Sequence, residues 1–497
     1  MDTSRIPRFP RLDQNLTVDV VVIGGGITGI TTAYLLKNAG ASVVLIERDR
    51  FASVDTGHTT AHLTQVTDLR LSELVKNFGR NNAQAVWDAG RAAIDQINQI
   101  AETEEIACEF TWVPGYLHAP LTGGSENEVS RLEEDARLAH ELGFDAALVD
   151  VPFLHRPGVR FSNQAKFHPR KYLAGVLAKI SGNGSHVYEE TAADEISDKP
   201  LTVKANGFTI RCSHLVIATH VPLQGLTGTL GATLFQTKLA PYTSYAVGAK
   251  ILHGYIPEAS FWDTNDPYYY LRVDRRRRND YAIFGGEDHK TGQTSDPMEH
   301  FQRLEQKLLE IIPAAEIDHR WSGQVIETND GLPLIGEMVS KQFVATGYAG
   351  NGMTFGTLGA IMARDAILGR SNPWRELFDV HRRKLRGGTW DYLKENKDYP
   401  FYYLKDRLSK LDSNSLDGLK PGEGKVVKLD GRKVAAYRDK KGILTVKSAV
   451  CTHMGCIVRW NGAEKTWDCP CHGSRFKCDG HVLGGPAETP LNDDESS

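Results

Sequence analysis

TVDVVVIGGGITGITTAYLLKNAGASVVLIERD, Thr17 to Asp49, decides the fold of the larger part of this chain. Val20 to Ile23 is an unbroken apolar run, the pattern of a parallel strand buried on both faces. Gly24-x-Gly26-x-x-Gly29 follows at once. A helical segment then runs from Gly29 to Asn38, with Ile30, Ala33, Tyr34 and Leu36 on its apolar side, and Gly40 ends it. A second apolar strand, Ser42 to Ile46, and then Glu47 close a βαβ unit. Gly24 permits the tight turn, Gly26 lets the backbone approach a pyrophosphate, and Gly29 lets helix and strand pack closely. The free N–H groups of the helix start, at Ile27 and Thr28, face the phosphates. Glu47 stands where a carboxylate accepts hydrogen bonds from an adenosine ribose. The unit predicts an α/β Rossmann-type domain that binds a dinucleotide.

Further along, apparent β-hairpins from Glu195 to Cys212 lead into the strand-like HLVIAT, His214 to Thr219. Later come TNDGLPLIG, Thr328 to Gly336, and FVATGYAGNGMTFG, Phe343 to Gly356. The latter reads as strand, glycine-rich loop and a second helix start. Together with the opening βαβ unit, these segments closely resemble the FAD-dependent D-amino-acid oxidase family, which includes glycine and sarcosine oxidases. The resemblance covers roughly Val18 to Arg370. It implies an FAD-dependent oxidoreductase domain over 1–370, with FAD-binding parts near 18–80, 165–235 and 320–370 and an antiparallel-sheet substrate subdomain (α+β) between them. It also implies that Gly350, Asn351, Gly352, Met353 and Thr354 surround the flavin ring, helix-end N–H groups facing its N1–C2 carbonyl side.

The same resemblance places flavin contacts in VDTGHTTAHLTQ, Val54 to Gln65, with Thr59 and Thr60 as hydrogen-bonding candidates. Some family members bind flavin covalently through a histidine in this region, which singles out His58 and His62. Their spacing also suits a metal on a helix face, but no third ligand accompanies them. For the substrate, YYYLR offers Tyr268, Tyr270 and Arg272 on one strand face. An Arg and Tyr pair can clamp a carboxylate, whereas an aromatic packing strand with an exposed Arg fits equally. His289 and Tyr348 are further catalytic candidates. No redox CxxC follows the first loop and no second GxGxxG is present, so hydride is expected from a substrate carbon rather than from NAD(P)H.

The far end is of another kind. PGEG, LDGRK and DKKG separate short strand-like runs, predicting a small all-β domain over 410–497 after a helical linker at 371–409. It carries Cys451-x-His453 and, fifteen residues on, Cys469-x-x-His472. Two loops, each with one thiolate and one imidazole, can share one metal site, and on spacing alone zinc is equally acceptable. The surroundings, CTHMGC and CPCHGS with HVLGGPA beyond, strongly resemble the Rieske [2Fe–2S] family. The resemblance implies Cys451 and Cys469 on one iron, and His453 and His472 on the other. One Rieske subclass links its cluster loops by a disulfide, which implies a Cys456–Cys471 pair. Ser474 stands where high-potential members place a hydroxyl donor to a cluster sulfide. Phe476 replaces their tyrosine, so the potential is expected inside the Rieske range but below its top. Cys108 and Cys212 are solitary and read as small buried hydrophobes; Cys478 is left over.

The chain has 497 residues, 41% apolar and 24% charged, with net charge −4. That suits more than one globular domain and supplies no global basic field for nucleic acid. RRRR, Arg275 to Arg278, reads as a solvated hairpin tip. No apolar run has the length of a membrane span, and MDTSRIPRFPRLDQNLTVDV lacks a signal-peptide pattern, so a cytoplasmic protein is expected. The combined expectation is an FAD dehydrogenase that oxidises an amine or amino-acid C–N bond. It would pass single electrons through its own cluster to an external acceptor. A redox protein without a dedicated small substrate, or an FAD oxidase with an auxiliary cluster, are the alternatives. A Rieske oxygenase is disfavoured, because no D-x-x-H-x₃₋₄-H supplies its mononuclear iron.

Overall fold

The computed structural model describes residues 4–124, 127–222, 238–382, 402, 416 and 418–493. Its first sheet grows from the opening βαβ unit. Strand Leu16–Ile23 lies between Phe208–Ile217 and Val43–Ile46, parallel to both. His186–Tyr188 and Gln342–Thr346 extend the sheet in parallel on either side. Pairing on both edges and cover on both faces explain the unbroken apolar run: Val20, Val21 and Val22 are fully buried. The helix Ile27–Asn38 is buried from its start to Leu36, so it shows no polar stripe. It packs on helix Gly352–Ile367, which packs in turn on Arg80–Thr103. Ala193–Asp198, Leu201–Ala205 and Phe208–Ile217 form the expected antiparallel hairpins.

A second, nine-stranded sheet covers the first domain's cleft. Leu239–Leu252 pairs antiparallel with Glu316–Thr328 and Asn279–Lys290, and Tyr270–Asp274 follows at the latter's other edge. Ser260–Asp263 and Thr111–His118 pair in parallel within the same sheet. Residues 275–278 are the exposed tip of a hairpin, with the Arg276 guanidinium 4.3 Å above the Tyr281 ring.

The C-terminal domain has a three-stranded sheet, Gly424–Leu429, Arg432–Arg438 and Leu444–Ser448, and a four-stranded one beginning at Arg459–Asn461. Trp467 and Phe476 fill its core beside Cys451 and Cys469. Of the expected linker, Arg375–Phe378 is a short helix; residues 383–401 and 403–409 lie outside the described residues, as do 223–235 of the middle FAD-binding segment. Among the described residues, no helix is long and apolar enough to cross a membrane.

Candidate functional site

Two helix starts, far apart in sequence, open on one cavity of about 340 Å³. Thr28 Oγ1 and Tyr348 OH lie 3.0 Å apart and join the two loops. Gly24, Gly26, Ile27 and Thr28 line the cavity, whereas Gly29 packs behind them. A Cβ on Gly29 would lie 1.9 Å from the Gly24 carbonyl oxygen, so only glycine closes this turn. Glu47 stands beyond the turn: its Oε2 accepts from Gly25 N–H at 2.7 Å and its Oε1 from Asp49 N–H at 2.8 Å. Burial nevertheless pushes its carboxyl pKa up. Arg48 and Arg50 line the same end. Glycine backbone, a helix start whose Ile27 N–H meets only the Thr56 hydroxyl at 3.3 Å, and the Glu47 carboxylate together make a cradle that fits a dinucleotide.

At the other end, Gly350, Asn351, Gly352 and Met353 line the cavity, as do Thr59, Thr60, Tyr270, His58 and His62. Thr354 does not; it is fully buried behind the loop. Among the described residues no third ligand joins His58 and His62 in a metal cluster. Burial beside Arg272 lowers the His62 pKa to about 3, so this ring is neutral.

Two catalytic candidates turn away. Arg272 does not face the cavity: its guanidinium bonds Asp274 at 2.9 Å and 3.1 Å, and the carbonyls of Thr60 and Ala61 at 2.7 Å and 3.0 Å. A guanidinium with those partners ties strand to loop and is spent as a carboxylate clamp. His289 is held by Tyr245 OH at 3.0 Å and the Lys290 carbonyl at 2.8 Å, also outside the cavity lining. In its place the neighbouring Asp288 lines the cavity, with Asp68, Trp262 and Gln324. Asp288 belongs to the same FGGEDHKTG segment; Asp68 and Gln324 carried no motif.

In the C-terminal domain, residues 451–456 and 469–474 face each other. Cys456 and Cys471 form a disulfide, leaving Cys451 and Cys469 as the free thiols beside it. These two share a hydrogen bond, which lowers the Cys451 thiol pKa and raises that of Cys469. The His453 and His472 rings lie 4.9 Å apart at 88°. Burial holds both imidazoles neutral, at about 3 and about 4. Two adjacent thiols and two adjacent neutral imidazoles are the donor set a Rieske cluster needs. Ser474 Oγ accepts from Ala487 N–H at 3.0 Å and hydrogen-bonds the Cys451 sulfur.

The two sites meet. Residues 483–488 of the C-terminal domain form part of the cavity wall. Gln324, also in the wall, donates its Nε2 to the Gly473 carbonyl at 2.9 Å, next to His472. Gln293 donates to the Pro470 carbonyl at 3.0 Å, and Arg48 to the Leu483 carbonyl at 3.1 Å. Gly473, at φ +68°, would drive a Cβ to 2.4 Å from Pro241, so the seam is as close as backbone allows. Arg475, buried, bonds Glu464 at 2.7 Å and Asp468 at 3.2 Å, and Glu464 accepts from Ser322 across the seam.

A family model described as FAD dependent oxidoreductase matches residues 19–365, and one for the Rieske [2Fe-2S] domain matches 411–493. The Rieske 2Fe-2S iron-sulfur protein YhfW of Bacillus subtilis is 35% identical over 494 residues, covering 98% of this chain and 95% of its own. Gamma-glutamylputrescine oxidoreductase of Escherichia coli is 22% identical, covering 80% of this chain and 95% of its own. Glycine oxidase from Geobacillus kaustophilus shares the fold of the larger part, with a TM-score of 0.62 at 17% identity over 74% of this chain and 100% of that one. The cofactors are FAD and a [2Fe–2S] cluster. The chain therefore belongs to the FAD dependent oxidoreductase family and ends in a Rieske [2Fe-2S] domain.

Proposed function

We propose that this oxidoreductase takes hydride from the carbon of an amine or amino-acid C–N bond and sends the electrons singly, through its own cluster, to an external acceptor. The observation that carries the reading is the seam. The cavity wall includes residues 483–488 of the Rieske domain, and Gln324 links that wall to Gly473, beside His472. When bound, FAD accepts an electron pair as hydride and the cluster carries one electron at a time. Gly24, Gly26, Ile27 and Thr28 would hold the pyrophosphate, with Gly29 closing the turn behind them, and Glu47 the ribose. Gly350, Asn351, Gly352 and Met353 would lie against the ring, with Thr354 supporting the loop from behind. Thr59 and Thr60 add hydrogen bonds near the ring. Cys451, Cys469, His453 and His472 would ligate the two irons.

The chemistry asks little further of the protein. The substrate's C–H pair leaves as hydride, the nitrogen lone pair closes a C=N bond, and water hydrolyses the imine. Positioning against the Tyr348 loop and exclusion of water by the nine-stranded sheet carry most of the work. The names of the two relatives, a gamma-glutamylputrescine oxidoreductase and a glycine oxidase, support C–N substrates. The unit boundaries of this reading are 1–370 for the FAD part and 410–497 for the Rieske part, with 371–409 joining them.

Anaerobic mixing of the purified chain with panels of amines, amino acids and hydroxy acids tests the reading. Bleaching of the flavin band by C–N substrates is expected. Bleaching by hydroxy acids alone, or by no member, contradicts it.

A further inference from the structure

This inference rests on the reading of the cavity as a site of C–N oxidation, and it concerns the charge of the substrate. Two carboxyl groups meet at the cavity end formed by the second glycine loop. Asp68 accepts from Gly350 N–H at 2.8 Å and from Tyr268 OH at 3.2 Å. Asp288 approaches from strand Asn279–Lys290. Its Oδ1 is buried and, among the described residues, has no hydrogen-bond partner. Burial, opposed by a hydrogen bond with Ser244 and added to by the negative charges of Asp68 and Glu287, pushes its carboxyl up to about 7. An acid in that condition lacks a positive neighbour.

The same end is faced with aromatic rings. Trp262, Tyr268 and Tyr270 line it, the two tyrosine rings 5.9 Å apart. Among the described residues lining the cavity, the guanidinium groups belong to Arg48 and Arg50, on the two sides of Asp49 at the Glu47 end, and no lysine lines it. Arg272, the one strand residue placed to greet a carboxylate, is bound to Asp274 and two carbonyls. A substrate carboxylate at this end would therefore meet two acids and no cation. An ammonium group would meet a carboxylate oxygen lacking a partner and the faces of aromatic rings, both favourable to a cation.

We propose that the pocket takes a cationic amine bearing no carboxylate on the reacting carbon, and that Asp288 receives its ammonium group and takes up the proton whose departure frees the nitrogen lone pair for hydride loss. Asp68 holds the glycine loop by its N–H, so it positions the ring-side backbone, while Asp288 is left for the substrate. Selectivity then comes from repulsion of a carboxylate as much as from attraction of the amine.

Matched pairs that differ by one carboxylate test this on the unaltered, FAD-loaded chain: 1,5-diaminopentane against D- and L-lysine, and butylamine against D- and L-norvaline. In anaerobic flavin reduction, the amine of each pair should exceed its amino acid by about 10-fold or more in rate over Kd, the effect of one charge-assisted hydrogen bond. Asp288→Asn should weaken amine reduction by a similar factor, with flavin absorbance confirming that FAD is retained. The pair comparison does not depend on that variant folding. Preference for the amino acids overturns this inference and leaves the C–N reading standing. Equal rates in Asp288→Asn and the unaltered chain also overturn it. Reduction by no C–N donor of any kind overturns the C–N reading, and this inference with it.

Discussion

The FAD cavity draws its wall from Ile23 to Glu488, whereas the cluster site draws its four donors from residues 451–472. The first is built largely of backbone: glycine turns, helix-start N–H groups, and one carboxylate already held by two amides. The second is built of side chains brought together by two loops and a disulfide. A backbone site is destroyed by adding an atom, and a side-chain site by removing one. The two halves should thus fail separately and by opposite edits.

The sharpest break comes from taking a sulfur away. Cys469→Ser should reduce iron content to background while the flavin spectrum persists, as read by metal analysis and absorbance on the same sample. Loss of flavin as well would mean that the two sites are not separable. Adding carbon at the front should do the reverse. In Gly29→Val the new side chain meets the Gly24 carbonyl oxygen, and FAD content should fall by about 10-fold or more, which requires only about 1.4 kcal/mol, with iron retained. Next in size is the seam itself. Arg475→Met leaves Asp468 and Glu464 without their buried cation, and should lower stability by about 3–5 kcal/mol in denaturant unfolding. The Rieske transition should move most. The smallest effects tune the cluster. Ser474→Ala removes one hydroxyl beside Cys451 and should lower the reduction potential, while Phe476→Tyr adds one in the same core and should raise it. One hydrogen bond of about 1 kcal/mol corresponds to roughly 40 mV for a one-electron couple. Shifts of the same sign in both variants would contradict the account.

The same contrast explains what could be read from sequence. The candidate cluster donors are legible because their identity and spacing are the chemistry: CTHMGC and CPCHGS contain all four. The opening βαβ unit is legible because burial on both faces forces Val20, Val21 and Val22 to be apolar together. The substrate end is not legible in this way. Alternation groups Tyr268, Tyr270 and Arg272, but the strand starts only at Tyr270, and Asp274, two residues beyond Arg272, captures its guanidinium. Within FGGEDHKTG it is Asp288, and not the candidate His289, that lines the cavity. Gly286 and Glu287 both take positive φ, and the pairing with Leu239–Leu252 slips between Thr243 and Tyr245. A strand broken there no longer alternates, so Asp288 reaches the cavity while His289 turns to Tyr245. Asp68 and Gln324 act through contacts more than a hundred residues away in sequence, with Gly350 and Gly473, which no local pattern can announce.

In the proposed function, electrons leave the flavin through the cluster of the same chain. Stopped-flow reduction by a C–N substrate without oxygen, following flavin and cluster bands together over a wide range of protein concentration, tests it most directly. Flavin bleaching is expected first, then cluster reduction at a first-order rate that does not change with protein concentration. A cluster that stays oxidised after the flavin is reduced, or a rate that rises in proportion to protein concentration, would contradict it.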